Sequence, residues 1–448
     1  MRESVRSPSP ELLREQLETA ATFIGPKTSL VSFAVDSPAF AASKLIRALP
    51  DQPFFAYDGA AGLGVAAELR LDRLDAAAAK TWALGVLDAE AIGGRVRPPI
   101  FCGAAFAPRA TGEGRWRDFP PFYLVVPRWS YQADRGHATL TLTLPAVDAL
   151  DPGCQEQALR ENRHLIACLE ATPAAVGPPP ELGPVAQMTL AAWEAMVGDA
   201  LGEIASGRLR KLVLARTATV QASEDWSDLA VFQRLIAGEG KDFAVRFGST
   251  TFLGCTPERL VEGGNQGFKT LALAGTLPAS ADETALLRSP KNREEHQLVV
   301  AEILRRLQPL SSDLQAAAAP AAVHLKDVLH LRTPISGRPR EGVHLLDLAC
   351  ALHPTPAVGG LPSDQAIDWI CTHEPEPRGW YAGFVGWFNH RGDGEMSVTI
   401  RSGLLSGPEA CLYAGAGIVA GSEPAAEYRE TAWKQRPFLR ALGIDLPA

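Results

Sequence analysis

Two ionisable residues stand where their surroundings could make them proton carriers. Lys211 opens the apolar run KLVLAR, and Glu258 follows Thr256 and Pro257 in CTPERL. On a strand Lys211 shares a face with Val213 and Ala215. Were that face interior, the ammonium would be desolvated and crowded by neighbouring positive charge, which favours the neutral amine and suits a base. A partly buried carboxyl at Glu258 would move the other way and suit an acid. Each has a plainer reading when taken singly, since strand-start lysines commonly point into water and turn glutamates are commonly exposed.

A second set of residues could hold a cation. Glu427 and Glu430 are spaced i and i+3, so their carboxylates share one helix face. Paired carboxylate oxygens suit a hard ion such as Mg²⁺, which keeps water and accepts anionic substrate oxygens. In KNREEHQLVV, Glu294, Glu295 and His296 are expected to open another helix, where acidic side chains also favour the helix dipole. A joint metal site requires the two helices to converge. Just before Glu427, Gly415-Ala416-Gly417 ends an apolar stretch, and a strand without side chains there can bring its N–H groups to an anion. A bulge or tight strand exit explains such glycines equally well.

The elements that must carry these residues can be read from periodicity. MTLAAWEAMVGDALGEIASG is a helix ending at glycine, followed by the strand RKLVLARTATV. DFAVRFGSTTFLGCTPERLVEG is a hairpin turning at Gly248 and Ser249, and NREEHQLVVAEILRRLQPL is an amphipathic helix. GFVGWFNHRGDGEMSVTIRSGLL and EACLYAGAGIV read as one meander of strands, with Arg391-Gly392-Asp393 as a hairpin turn. PAAEYRETAWKQRPFLRAL is a helix with Pro424 in its first turn. Strands and helices mix without strict βαβ alternation, which predicts an α+β fold with antiparallel sheets. The Pro- and Gly-rich stretch 172–185 divides an N-terminal segment (1–180) from the remainder (181–448). The first part contributes the strands PFYLVVP and ATLTLTLPAV and the helices ELLREQLETAATF and CQEQALRENRHLIACLEA.

Composition narrows the function. A chain of 448 residues with 46% hydrophobic and 21% charged residues can bury one large core or two average ones. Its 43 basic residues against 51 acidic ones, with no long basic run, argue against nucleic acid as a partner. No apolar stretch has the length of a membrane span, and the N-terminus lacks the apolar core of a signal peptide. Seven scattered cysteines without CxxC spacing point to reduced thiols and a cytoplasmic setting rather than to disulfides or zinc.

The order KLVLAR, CTPERL, LALAGT, NREEHQLVV, LHLRTP, LHPTPAVGG, RGWYAGFVGW, VTIRS, YAGAGIV and EYRETAWK is more specific than any single piece. It resembles the chorismate-utilising enzyme family from about residue 185 to the C-terminus, and the first part only loosely. The resemblance implies a two-layer α/β sandwich with large antiparallel sheets, which the N-terminal segment completes. It implies a Mg²⁺-dependent isomerisation of chorismate to isochorismate. By it Lys211 activates water for attack at C2, and Glu258 protonates the departing C4 hydroxyl. Glu295, Glu427 and Glu430 match the acidic residues around Mg²⁺. Gly275 and Thr276 match the loop beside the ring carboxylate, Arg401 and the Gly415 backbone match the clamp on the pyruvyl carboxylate, Lys434 matches a lysine near the carboxylate and the metal, and His330 matches a pocket residue. Ammonia-using relatives typically carry Gln in place of Lys211, and those forming a covalent adduct carry Lys in place of Ala274, so no amidotransferase subunit is expected. Pyruvate elimination to salicylate, decided by packing around His353 to Gly360 and Tyr381, stays open, as does an inactive chorismate-binding subunit. The expectation is compatible with a monomer, and the oligomeric state and pathway stay open.

Overall fold

The computed structural model describes residues 10–444 apart from 38, 89–91, 95, 109–111, 135–136, 172–176 and 237–239. The first part of the expected linker, 172–176, lies outside the described residues. Among the described residues the strands form two sheets, of thirteen and ten strands, paired almost throughout in antiparallel fashion. Mixed helices and antiparallel sheets are the predicted α+β class. Strands from before and after residue 180 stand in both sheets. No described helix is long and apolar enough to cross a membrane.

The site depends on how five elements meet. Helix Leu190–Ala205 ends at Gly207, whose φ of +77° lets the chain reverse without a Cβ clash and enter strand Lys211–Ala222. That strand is almost continuously buried, as its β-branched and aliphatic residues require. Its partner is strand Glu409–Ile418, in a register that sets Val213 against Gly417 and Ala215 against Gly415. Helix Pro290–Leu307 begins with Ser289 as N-cap, its hydroxyl accepting from the Asn292 N–H, and Pro290 in the first turn. Helix Pro424–Ala441 follows strand Glu409–Ile418 after a short turn and also begins on proline.

Two sequence expectations are corrected. Glu294, Glu295 and His296 do not open their helix; Pro290 does, so these residues stand in its second turn, away from the free N–H groups. The run from Phe384 to Ile418 is not one meander. Strands Phe384–Phe388 and Gly394–Val398 pair in the ten-stranded sheet, whereas Ser402–Ser406 and Glu409–Ile418 belong to the thirteen-stranded one. The chain changes sheets at residues 399–401, and Arg401 has a φ of +55°, a left-handed conformation uncommon for a side chain of this size.

Candidate active site

Between the two sheets lies a cleft of about 640 Å³ including its open mouth, in the usual range for a small-molecule site. Val213, Glu258, Gly275, Thr276, Glu295, His330, Arg401, Gly415, Glu430 and Lys434 line it, so nearly all residues singled out from the sequence face one cavity. Lys211 and Glu427 lie behind this wall, buried at 0% and 2% exposure.

Lys211 opens its strand fully buried, with Nζ 2.9 Å from Glu295 Oε1. The expected crowding by positive charge is therefore corrected: a carboxylate from helix Pro290–Leu307, which packs against strand Gly267–Pro278 of the other sheet, reaches across to the amine. The contact lacks good hydrogen-bond alignment, and among the described residues Lys211 Nζ has no aligned hydrogen-bond partner. A buried nitrogen with unused bonding capacity fits a site that receives water or substrate.

Glu258 sits where the chain leaves strand Thr250–Thr256 for the other sheet. The Glu258 N–H donates to Thr256 Oγ1 at 3.2 Å, Thr256 Oγ1 donates to Val398 O at 2.6 Å, and Val398 N–H donates to Glu258 O at 2.9 Å. With its backbone held, the carboxyl is 4% exposed. Burial pushes its pKa up to about 7, against the opposing pull of Lys211, a Thr355 hydroxyl bond at 3.4 Å, Lys434 and Arg401. This is the raised value expected of a general acid.

The opposite wall is built for anions. Burial, then Arg401 and Lys434, hold His330 well below the usual histidine range, so it is neutral. An arginine can only donate, so at 3.3 Å the Arg401 Nη2 group donates to His330 Nε2. The His330 proton is thereby on Nδ1, 3.0 Å from Thr276 Oγ1. Among the described residues Arg401 otherwise reaches only the Lys434 carbonyl, at 3.5 Å, and has no carboxylate within ion-pairing distance. A half-buried guanidinium so lightly engaged is prepared for an anionic ligand. Gly275 has a φ of +79° at a bulge in strand Gly267–Pro278, and a Cβ there would come 2.9 Å from Asn292 O. Asn292 Oδ1 accepts from the Thr276 N–H at 3.2 Å, which fixes the loop that Gly275 begins.

The three glutamates expected around a metal each meet a lysine nitrogen: Glu295 meets Lys211, Glu427 meets Lys291, and Glu430 meets Lys434 at 2.7 Å. Lys434 also donates to Gly415 O at 2.9 Å. Burial and then the charge of Glu430 raise the pKa of Glu427, against the pull of Lys291. Among the described residues no three metal-ligating side chains are close enough to hold an ion unaided. The donor set still fits Mg²⁺, which takes one or two carboxylates plus water and substrate oxygens, at a place where carboxylates repel one another.

His296, grouped from the sequence with Glu294 and Glu295 as a candidate cation site, serves instead as a support. It is neutral, its pKa pushed down to about 4 by burial, and it bridges Ala274 O at 3.2 Å and Thr333 Oγ1 at 2.7 Å, tying the helix of Glu295 to two strands. Sequence reasoning missed Lys291, Asn292 and Tyr413; Tyr413 stacks on Tyr381 with centroids 5.0 Å apart. Asn292 and His296 stand at i and i+4 with Val299 at i+7, the helical spacing of a core-facing stripe, and that spacing is the signal that could have shown their roles.

The chain is similar to known proteins over most of its length. The chain is 37% identical over 410 residues to the salicylate biosynthesis isochorismate synthase of Pseudomonas aeruginosa, covering 88% of this chain and 84% of that protein. It is 36% identical over 260 residues to the isochorismate synthase MenF of Bacillus subtilis, covering 56% of this chain and 55% of that one. The solved structure of the menaquinone-specific isochorismate synthase MenF from Escherichia coli superposes with a TM-score of 0.77 at 29% identity, over 96% of this chain and 99% of the other. The family model described as chorismate binding enzyme matches residues 50–443. With the cleft, its buried acid and its anion wall all inside that span, the chain belongs to the chorismate binding enzyme family.

Proposed function

We propose that this protein is an isochorismate synthase, converting chorismate to isochorismate with water as nucleophile, in the cytoplasm and without an amidotransferase subunit. The observation that carries the reading is Glu258, a buried carboxyl whose pKa rises to about 7, in a cleft behind whose wall Lys211 is wholly buried. Lys211, as an amine, takes a proton from water as its oxygen bonds to C2. The ring double bonds shift, the C4–O bond breaks, and Glu258 gives its proton to the leaving hydroxyl, which departs as water. Burial of Glu258 keeps its proton in place until that bond breaks.

Substrate charge directs the remaining roles. Arg401 faces the pyruvyl carboxylate with the Gly415 backbone beside it, and Gly275 and Thr276 stand at the ring carboxylate, with neutral His330 orienting Thr276. Glu295, Glu427 and Glu430 would hold Mg²⁺, which when bound neutralises a substrate carboxylate. Lys434 links that acidic group to Gly415.

The test is product analysis of the purified protein with chorismate and Mg²⁺, with and without ammonia. Isochorismate without pyruvate is the expected result. Salicylate with pyruvate would mark the elimination alternative, and an ammonia-dependent amino product would overturn both.

A further inference from the structure

Strand Lys211–Ala222 is paired with strand Glu409–Ile418 along one side, but among the described residues its other side is covered by backbone only toward its ends, the last bond from Val213 N–H to Gly359 O at 2.7 Å. Gly360–Leu361 pair with Lys211 and Leu212, and Leu182–Gln187 pairs from Ala218 onward. In the gap, two side chains complete the backbone. Arg378 Nη2 donates to Val213 O at 2.7 Å, and the Ala215 N–H donates to Glu374 Oε1 at 2.7 Å. The same guanidinium donates to Val358 O at 2.7 Å and to both oxygens of Glu374, at 2.7 and 2.5 Å. The two side chains are 2% and 5% exposed, and Arg378 lies 4.3 Å over the Phe106 ring.

We propose that Glu374 and Arg378 are positioning residues that set the separation between the strand carrying Lys211 and the loop carrying Thr355. Val213 and Val358, the two residues whose carbonyls share Arg378, both line the cleft. Thr355, three residues before Val358, donates to Glu258. The pair thus joins the support of the base to the support of the acid without touching substrate. Arginine suits the place because its planar fork can bind two carbonyls and a carboxylate at once. This inference rests on reading Lys211 and Glu258 as base and acid.

The distinguishing variant is Glu374→Leu with Arg378→Met, which removes both charges and leaves no lone buried ion to unfold the protein. Amide exchange of segments 212–217 and 355–360 is expected to speed up at least tenfold, with helix Leu190–Ala205 unchanged. The kcat for chorismate is expected to fall at least tenfold with KM within threefold. Unchanged exchange, or faster exchange with kcat within twofold of wild type, overturns the proposal. Wild type that leaves chorismate untouched refutes the functional reading, while the exchange comparison still judges the pair. If the double variant does not fold, Arg378→Lys keeps the charge, loses the fork and is read by the same two measurements.

Discussion

Gly417 lies against Glu295 so closely that a Cβ on it would stand 2.2 Å from Glu295 Oε1 and 3.3 Å from Lys211 Cε. The space of a missing side chain is what the Lys211–Glu295 pair occupies. Gly417→Ala is expected to push Glu295 aside and lower kcat at least a hundredfold, with a melting shift of only a few degrees. Steady-state kinetics beside a thermal melt check this, and an alanine variant of normal kcat would contradict it.

The pH profile should carry the signature of Glu258. Its carboxyl titrates at about 7, so the acid form is present below that pH and lost above it. The ratio kcat/KM is expected to decline tenfold per pH unit on the alkaline side of an inflection close to 7. A profile flat from pH 6 to 9 would remove Glu258 from the reaction.

The same group affects stability with a definite sign. Its folded-state pKa of about 7 stands above the ordinary 4.5, so the folded protein binds this proton more tightly than the unfolded chain. That contribution is fully present below 4.5 and is lost as pH rises through about 7, a cost of ~3 kcal/mol. Glu258→Gln should abolish turnover yet stabilise the protein at pH 8 by on the order of 1–3 kcal/mol, with little change at pH 5. Urea unfolding at the two pH values gives the comparison, and destabilisation at pH 8 would refute it.

Lys291 is a resident cation beside Glu427, one of the residues assigned to Mg²⁺. Lys291→Met removes the competitor and should tighten Mg²⁺ binding by calorimetry about three- to tenfold. Unaltered affinity would place Glu427 outside the metal's reach.

Arg401 tests the anion clamp. Arg401→Lys keeps a charge but loses the planar fork, so KM for chorismate should rise at least tenfold while kcat changes less. A variant with wild-type KM would separate Arg401 from substrate.

Local pattern revealed the helices at Leu190–Ala205 and Pro424–Ala441, the hairpin turning at Gly248, and the strand that begins at Lys211. These follow from caps, prolines, glycines and side-chain alternation, which act within a few residues of chain. The grouping of Glu258, His330 and Arg401 was reached through motif order and resemblance, because spacing along a chain carries no distance between strands.

Pairing partners and neighbours across the interior belonged to the tertiary structure. Alternation shows that a strand has a buried face but not which sheet receives it, so the run from Phe384 to Ile418 looked continuous although it divides between two sheets at Arg401. Burial of Lys211 could be anticipated from its apolar strand, whereas the carboxylate beside it comes from Glu295, 84 positions away in sequence, on a helix packed against strand Gly267–Pro278 of the other sheet. Charge environment depends on which distant groups share a low-dielectric space, and that is settled only when the helices and sheets pack.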